Sequence, residues 1–291
     1  MQLDQPPFRL VPGMDAHATA QQIVASINWF EGLPQPLPAA FSSAMETIGL
    51  APQDPLCRAA WEVVGEMTRG VGAGAGNAYH NVQHFCEVML CTLYIAQLAR
   101  LTQREQAQVL VAALLHDFHH DGCVNGVNPF RLELMACARA ERYFRQAGMD
   151  VEEQARLRAL ILCTEITVGM PTARNSYARH FLDGDSSASD TWLRPGPGSP
   201  RPEMSALAID ARLALQAVIL GEGDLLPSFG LTVAHADRNE ARLAAELKQP
   251  LGPLNKIAFI DHCLKEFLVA SFFSPNLRRI RQANVERLQR M

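Results

Sequence analysis

His116-Asp117-Phe118-His119-His120-Asp121-Gly122-Cys123-Val124-Asn125 decides how this chain is read. The run before it, Val109 to Leu115, is apolar throughout and reads as a buried helix, so His116 and Asp117 project from rigid, dry scaffold. Upstream, Tyr79-His80-Asn81-Val82-Gln83-His84 supplies a second histidine pair, and five of the nine histidines fall between positions 80 and 120. Burying several imidazoles and a carboxylate as plain core would leave costly unpaired polar groups. The cluster therefore reads as a metal site.

Composition supports a large folded core. Hydrophobic residues make up 48% and charged residues 19% of the 291 positions, which argues against disorder and for one domain over 1–291. The net charge of -4 signals no basic face, so nucleic acid is not expected as a partner. No stretch approaches the length of apolar sequence a membrane helix needs, and no membrane partner is expected. Seven cysteines with no CxxC pair fit a reducing compartment, which makes the cytoplasm the expected location.

Helical periodicity runs from end to end and predicts an all-α fold. Apolar residues recur at three- and four-residue steps over Ala18–Phe30, Leu56–Thr68 and Val82–Leu98. Thr102-Gln103-Arg104-Glu105 is a capping box opening the helix that leads into His116. Further helices are expected over Leu132–Gln146, Val151–Cys163, Ser205–Leu220, Arg238–Lys248, Leu254–Ser271 and Asn276–Arg290. Residues 1–70 should pack on the core as helices, and the Ser/Asp/Gly/Pro-rich stretch 183–202 reads as a surface loop. Four glycines in Gly70–Gly76 allow a sharp turn before Tyr79.

His80 and His84, four residues apart, share one helix face. Imidazole suits zinc or iron, whereas carboxylate oxygens suit magnesium or manganese, so the mixed set predicts a binuclear centre. Two adjacent divalent ions can activate water and stabilise both the attacking and the leaving oxygen of a phosphoryl displacement.

His116-Asp117-x-x-His120-x-Gly122-x-x-Asn125 resembles the metal-site motif of the HD superfamily, in particular of class I cyclic-nucleotide phosphodiesterases. Tyr79-His80-Asn81-x-x-His84 resembles that family's earlier motif, in the expected order. Leu162-Cys163-Thr164-Glu165, Ala208-Ile209-Asp210 and Phe259-Ile260-Asp261 echo later segments, so the resemblance spans about 75–270. It implies an HD-domain helical bundle that cleaves a 3′,5′-cyclic nucleotide, or a related small phosphodiester, to a monoester. By position, His84, His116, Asp117 and Asp210 would hold a first ion, usually Zn2+. Asp117 would bridge to a second, usually Mg2+, with Mn2+ or Fe2+ as alternatives. Waters on the second ion would bond to His120, Glu133, Thr164 and Glu165. The implied chemistry is attack by a bridging hydroxide, with His80, held by Glu133 or Glu165, as general acid. Tyr79, Lys256 and Phe259 would contact substrate, and His119 would be a bystander.

The recognition half departs from the family. Where the family reads its purine with a glutamine one helical turn before a stacking phenylalanine, here Lys256 precedes Phe259. A glutamine amide both donates and accepts, but an ammonium only donates, so selectivity should weaken or shift toward another group, such as an anionic one. Asn255 is the alternative occupant of that slot. The competing functions are an HD phosphohydrolase acting on monoesters or non-cyclic diesters, a catalytically silent ligand sensor, and redox use of a di-iron centre. Oligomeric state is not encoded in any motif.

Overall fold

The computed structural model describes residues 9–72, 74, 76–182 and 200–291, and among them every regular element is helical. The helices are α1 (Ala16–Glu31), α2 (Pro36–Ile48), α3 (Pro55–Thr68), α4 (Val82–Leu98), α5 (Gln103–Leu115), α6 (Arg131–Gln146), α7 (Val151–Leu162), α8 (Gly169–Phe181), α9 (Ala211–Phe229), α10 (Val233–Leu247), α11 (Pro253–Glu266) and α12 (Ser274–Arg290). Short 3-10 turns occupy Pro202–Ala208 and Ala270–Phe273. Most of the surface loop expected over 183–202 lies outside the described residues.

The centre is a crossing of α4, α5 and α9, each packed against the other two. From His84 to Ala96 every residue of α4 is buried, as is all of α5 from Ala107 to Leu115. Such helices carry apolar side chains all round because no face meets water. The capping box at Thr102 is formed, with its hydroxyl accepting from the Glu105 amide and the Glu105 side chain accepting from the Thr102 amide. Around this centre α1 and α2 pack on α4, α3 on α6, and α8 on α9. One hydrophobic cluster runs from Ala20 to Ile280, so the N-terminal helices share the core that carries the histidines.

Several elements depart from the periodicity reading, and the helix expected over Leu254–Ser271 ends at Glu266. The helix expected over Ser205–Leu220 is broken: the 3-10 turn meets α9 at 115°, and Asp210 sits at the corner, its carboxylate accepting from the Leu213 amide 2.9 Å away. Beyond Leu220 the helix runs on through Gly221-Glu222-Gly223-Asp224 and past Pro227. Tertiary packing overrides the glycines' poor helix propensity here. A Cβ at Gly223 would lie 2.2 Å from Thr92 Oγ1, so α4 and α9 approach too closely for any side chain. Helices α2 and α8 are not evident in the periodicity. Each carries a proline in its first turn, Pro36 and Pro171. Among the described residues no single helix is long and apolar enough to cross a membrane.

Candidate metal and catalytic site

Three central helices each contribute to one cluster: His84 from the first turns of α4, His116 and Asp117 from the C-terminal end of α5, and Asp224 from α9. His116 Nδ1 lies 2.8 Å from the Ala113 carbonyl oxygen, which turns Nε2 toward the cluster. Its Nε2 stands 3.0 Å from Asp117 Oδ2 and 3.3 Å from Asp224 Oδ1. His84 Nε2 stands 3.2 Å and 3.5 Å from the same two oxygens. Both Nε2 atoms are buried without a hydrogen-bond partner.

These separations suit a shared ion. Ligand atoms about 2.1 Å from one centre stand roughly 3.0–3.4 Å apart at angles between about 90° and 109°. Without an ion the four groups balance one another. Burial opposes protonation of His84, but Asp117 and Asp224 outweigh it and hold its pKa up to about 9. His116 is likewise held well above the usual histidine range against its burial. Burial opposes ionisation of Asp117 and Asp224, yet the histidines keep both carboxyls well below the usual range. A divalent cation would replace this charge balance with direct ligation by two neutral imidazoles and two carboxylates.

Asp210, expected as the fourth ligand, is elsewhere. It caps the start of α9 and pairs with Arg156 at 2.6 Å, about 20 Å along the helix from Asp224. Asp224 takes the place that Asp210 was expected to fill.

His80 stands just before α4, and its ring is fixed from a helix that the motifs did not implicate. Glu246, near the end of α10, hydrogen-bonds His80 Nδ1 through Oε1, while Oε2 accepts from the backbone amides of Tyr79 at 2.7 Å and His80 at 3.0 Å. His80 Nε2 is then 3.8 Å from Asp117 Oδ2. Neither Glu133 nor Glu165 touches His80, so the expectation that one of them holds its ring is corrected. The two motifs are stitched together by Asn77, whose side-chain amide donates to the carbonyls of both His80 and His120. Asn77 also explains Gly122: with φ at +77° and a Cβ that would fall 2.8 Å from Asn77 Oδ1, only glycine fits.

The remaining expected residues line the same cavity of about 470 Å3: His120, Asn125, Glu133, Thr164 and Glu165, along with His116, Asp117 and Asp224. The His120 ring stacks on His80 at 3.8 Å, and burial lowers its pKa to about 4, which keeps it neutral near pH 7. Its Nδ1 accepts from the Gly122 amide, leaving Nε2 as the N–H. Burial pushes the Glu133 carboxyl up to about 7, while Asn125 donates to both its oxygens. Glu165 turns back on its own chain, accepting from the Thr167 hydroxyl and the Thr167, Val168 and Gly169 amides where α8 begins. The Thr164 hydroxyl donates to the Ile161 carbonyl. His119 is apart, with its amide on the Gly72 carbonyl.

A second cavity of about 300 Å3 shares His80, Ile166, Asp224 and Leu243 with the first, so the two are contiguous. Tyr79, Lys256, Asn255 and Phe259 line it. The Tyr79 hydroxyl is hydrogen-bonded to Ser228, and its ring packs on His80 and His84. Phe259 packs against Phe229 at 4.3 Å. The Asn255 side chain accepts from the Gly252 amide and caps its own helix, whereas Lys256 is buried and ion-paired with Asp237 and Glu240.

Asp224 and Glu246 are the functional candidates that sequence reading missed. Asp224 lies between a glycine and a proline that read as the end of a helix. Its signal was the neighbouring Gly223, which lets α9 press on α4 at Thr92. Glu246 is one charge among several on an amphipathic helix and carries no local signal.

The helical bundle that carries the clustered histidines is shared with solved phosphodiesterase domains. The family model described as 3′5′-cyclic nucleotide phosphodiesterase matches residues 79–137, the segment that carries both histidine motifs. The fold is that of the solved LmjPDEB1 in complex with IBMX, with a TM-score of 0.62 at 16% identity over 97% of this chain and 99% of that one. It is also that of the phosphodiesterase domain of the RhoPDE fusion protein from the choanoflagellate Salpingoeca rosetta, with a TM-score of 0.56 at 18% identity over 96% of each chain. No curated protein sequence matches the chain. The resemblance carried by the two motifs thus agrees with the family model and with the fold.

Proposed function

We propose that this protein is a divalent-metal-dependent phosphodiesterase that hydrolyses a 3′,5′-cyclic nucleotide to the nucleoside 5′-monophosphate. One observation carries the reading: the Nε2 atoms of His84 and His116 each lie 3.0–3.5 Å from carboxylate oxygens of both Asp117 and Asp224, beside a histidine whose ring is held by the Glu246 carboxylate. The family match over 79–137 and the fold shared with LmjPDEB1, which binds the small molecule IBMX, support a small-molecule phosphodiester as substrate.

His84, His116, Asp117 and Asp224 would hold the first ion, for which the two imidazoles favour Zn2+. A second, harder ion such as Mg2+ would share Asp117, with Glu133, His120 and Thr164 lining the space around it. Bound ions would supply Lewis acidity and an activated water near neutral pH. The chain's own part is proton transfer and positioning. Glu246 takes the Nδ1 hydrogen bond of His80, so that Nε2–H is presented toward Asp117 and the reacting phosphate. His80 donates that proton to the departing 3′ oxygen, and Glu246 stabilises the charged ring beforehand. Neutral His120, stacked on His80, donates from Nε2 without adding positive charge. The nucleoside extends into the contiguous cavity between Phe259 and Tyr79.

Metal-reconstituted protein assayed with cyclic AMP, cyclic GMP and bis(4-nitrophenyl) phosphate beside the matching monoesters tests this reading. Diester turnover with 5′-monophosphate as product is expected. Turnover of monoesters alone, or tight nucleotide binding without turnover, would overturn it in favour of a monoester phosphohydrolase or a silent sensor.

A further inference from the structure

We infer that Lys256 and Glu240 together read the base, and that the pair selects a 6-oxopurine edge of the guanine type over a 6-aminopurine. This rests on the cyclic-nucleotide reading above. Lys256 is buried at 3% exposure in α11, and its ammonium lies 2.9 Å from Asp237 Oδ1 and in contact with Glu240 Oε2, both on one face of α10. Asp237 is already committed to Arg287 of α12, which donates to it from both terminal nitrogens. Asp237 is therefore balanced by Arg287, and Lys256 by Glu240. The Lys256–Glu240 pair that lines the cavity thus carries no net charge, so it offers no attraction to the anionic group that a lone lysine would have favoured.

What it does offer is a pattern. The two carboxylates occupy two of the three ammonium hydrogens, leaving one to donate, and Glu240 can only accept. Both residues line the cavity that opens onto His80. A guanine edge places a carbonyl oxygen beside two N–H donors, so the ammonium meets O6 while the carboxylate accepts from N1–H and N2–H. An adenine edge offers the ammonium its N1 but gives the carboxylate only the N6 amino group. The carboxylate gains a second charge-assisted hydrogen bond only with guanine. Phe259, Leu243 and Leu251 add apolar lining to the same cavity, against which that difference is felt.

The test is kcat/KM for cyclic GMP, cyclic IMP and cyclic AMP on the metal-loaded protein, with bis(4-nitrophenyl) phosphate alongside. Cyclic GMP should exceed cyclic AMP by roughly tenfold or more, with cyclic IMP, which lacks the N2 amino group, between them. Glu240→Gln should collapse the ratio toward one, because an amide can present either a donor or an acceptor. Equal turnover of the three by the unaltered protein, or an adenine preference, overturns the pair's role while leaving the phosphodiesterase reading intact. A ratio unmoved in Glu240→Gln does the same. Absence of all cyclic-nucleotide turnover, with monoesters hydrolysed, overturns both. Competition by 5′-GMP and 5′-AMP, measured as inhibition constants on the unaltered protein, gives the same comparison if the variant fails to fold.

Discussion

Glu246 grips His80 at both ends, taking the ring nitrogen Nδ1 on one oxygen and the backbone amides of Tyr79 and His80 on the other. The backbone bonds fix where the carboxylate stands, and the ring bond fixes Nε2 as the nitrogen of His80 that faces Asp117. The His80 bond and its charge, set against burial, hold the Glu246 carboxyl down to about 2, so it remains an anion across the working pH range. His80→Ala should lower kcat by roughly a hundred- to ten-thousandfold, the range for loss of a general acid. Glu246→Gln should lower it less. The double variant should be little worse than His80→Ala, because the two act as one unit. Metal content by elemental analysis should stay unchanged throughout, and additive losses would separate Glu246 from the His80 function.

Asp224 and Asp210 make opposite predictions although one sits within α9 and the other caps it. Asp224→Asn should reduce bound metal by roughly tenfold or more at fixed free ion, since it removes one of two carboxylates from a cluster whose buried histidine nitrogens have no other partner. Asp210→Ala should leave metal content as it is and cost about 1 kcal/mol of stability, the usual loss for a helix N-cap, read from denaturant unfolding. Loss of metal in Asp210→Ala with retention in Asp224→Asn would reverse the assignment.

This contrast also shows what the sequence could and could not reveal. His80, His84, His116 and Asp117 were legible because each sits in a dense local motif, and an all-α fold follows from periodicity alone. Asp224 was not, because the features that surround it, Gly223 and Pro227, act locally as helix breakers and tertiary contact with Thr92 decides otherwise. Glu246 and Lys256 show the same limit from another side. Their partners, His80 and Glu240, lie 166 and 16 positions away, and no periodicity records which carboxylate meets which cation.

Gly223→Ala tests the close approach that puts Asp224 in the cluster. The added Cβ would fall 2.2 Å from Thr92 Oγ1 and 2.9 Å from the Thr92 backbone, and the backbone atom cannot rotate away. Moving α9 off α4 should cost about 1–3 kcal/mol in denaturant unfolding and weaken metal binding, because Asp224 is the next residue. Thr92→Ala in the same background removes the hydroxyl but leaves the backbone clash, so it should restore only part of the loss. A Gly223→Ala protein of unchanged stability would show that the helices do not touch at this point.

Glu222 gives the protein a pH dependence of stability that a single substitution can isolate. The side chain is fully buried in α9, where it accepts from the backbone amides of Leu268, Val269 and Ala270. Burial outweighs those bonds and raises its pKa from 4.5 to about 7. An acid whose pKa is raised by folding holds its proton more tightly in the folded state. Its contribution to stability is thus complete below about pH 4.5 and is lost as pH rises through about 7. The full difference corresponds to about 3 kcal/mol between those limits. Glu222→Gln keeps a neutral group of the same shape and should flatten the curve. Unfolding free energies measured from about pH 5 to pH 9 on metal-loaded protein should therefore fall more steeply for the unaltered chain than for Glu222→Gln. Parallel curves would mean that the three amides hold the carboxylate as an anion throughout.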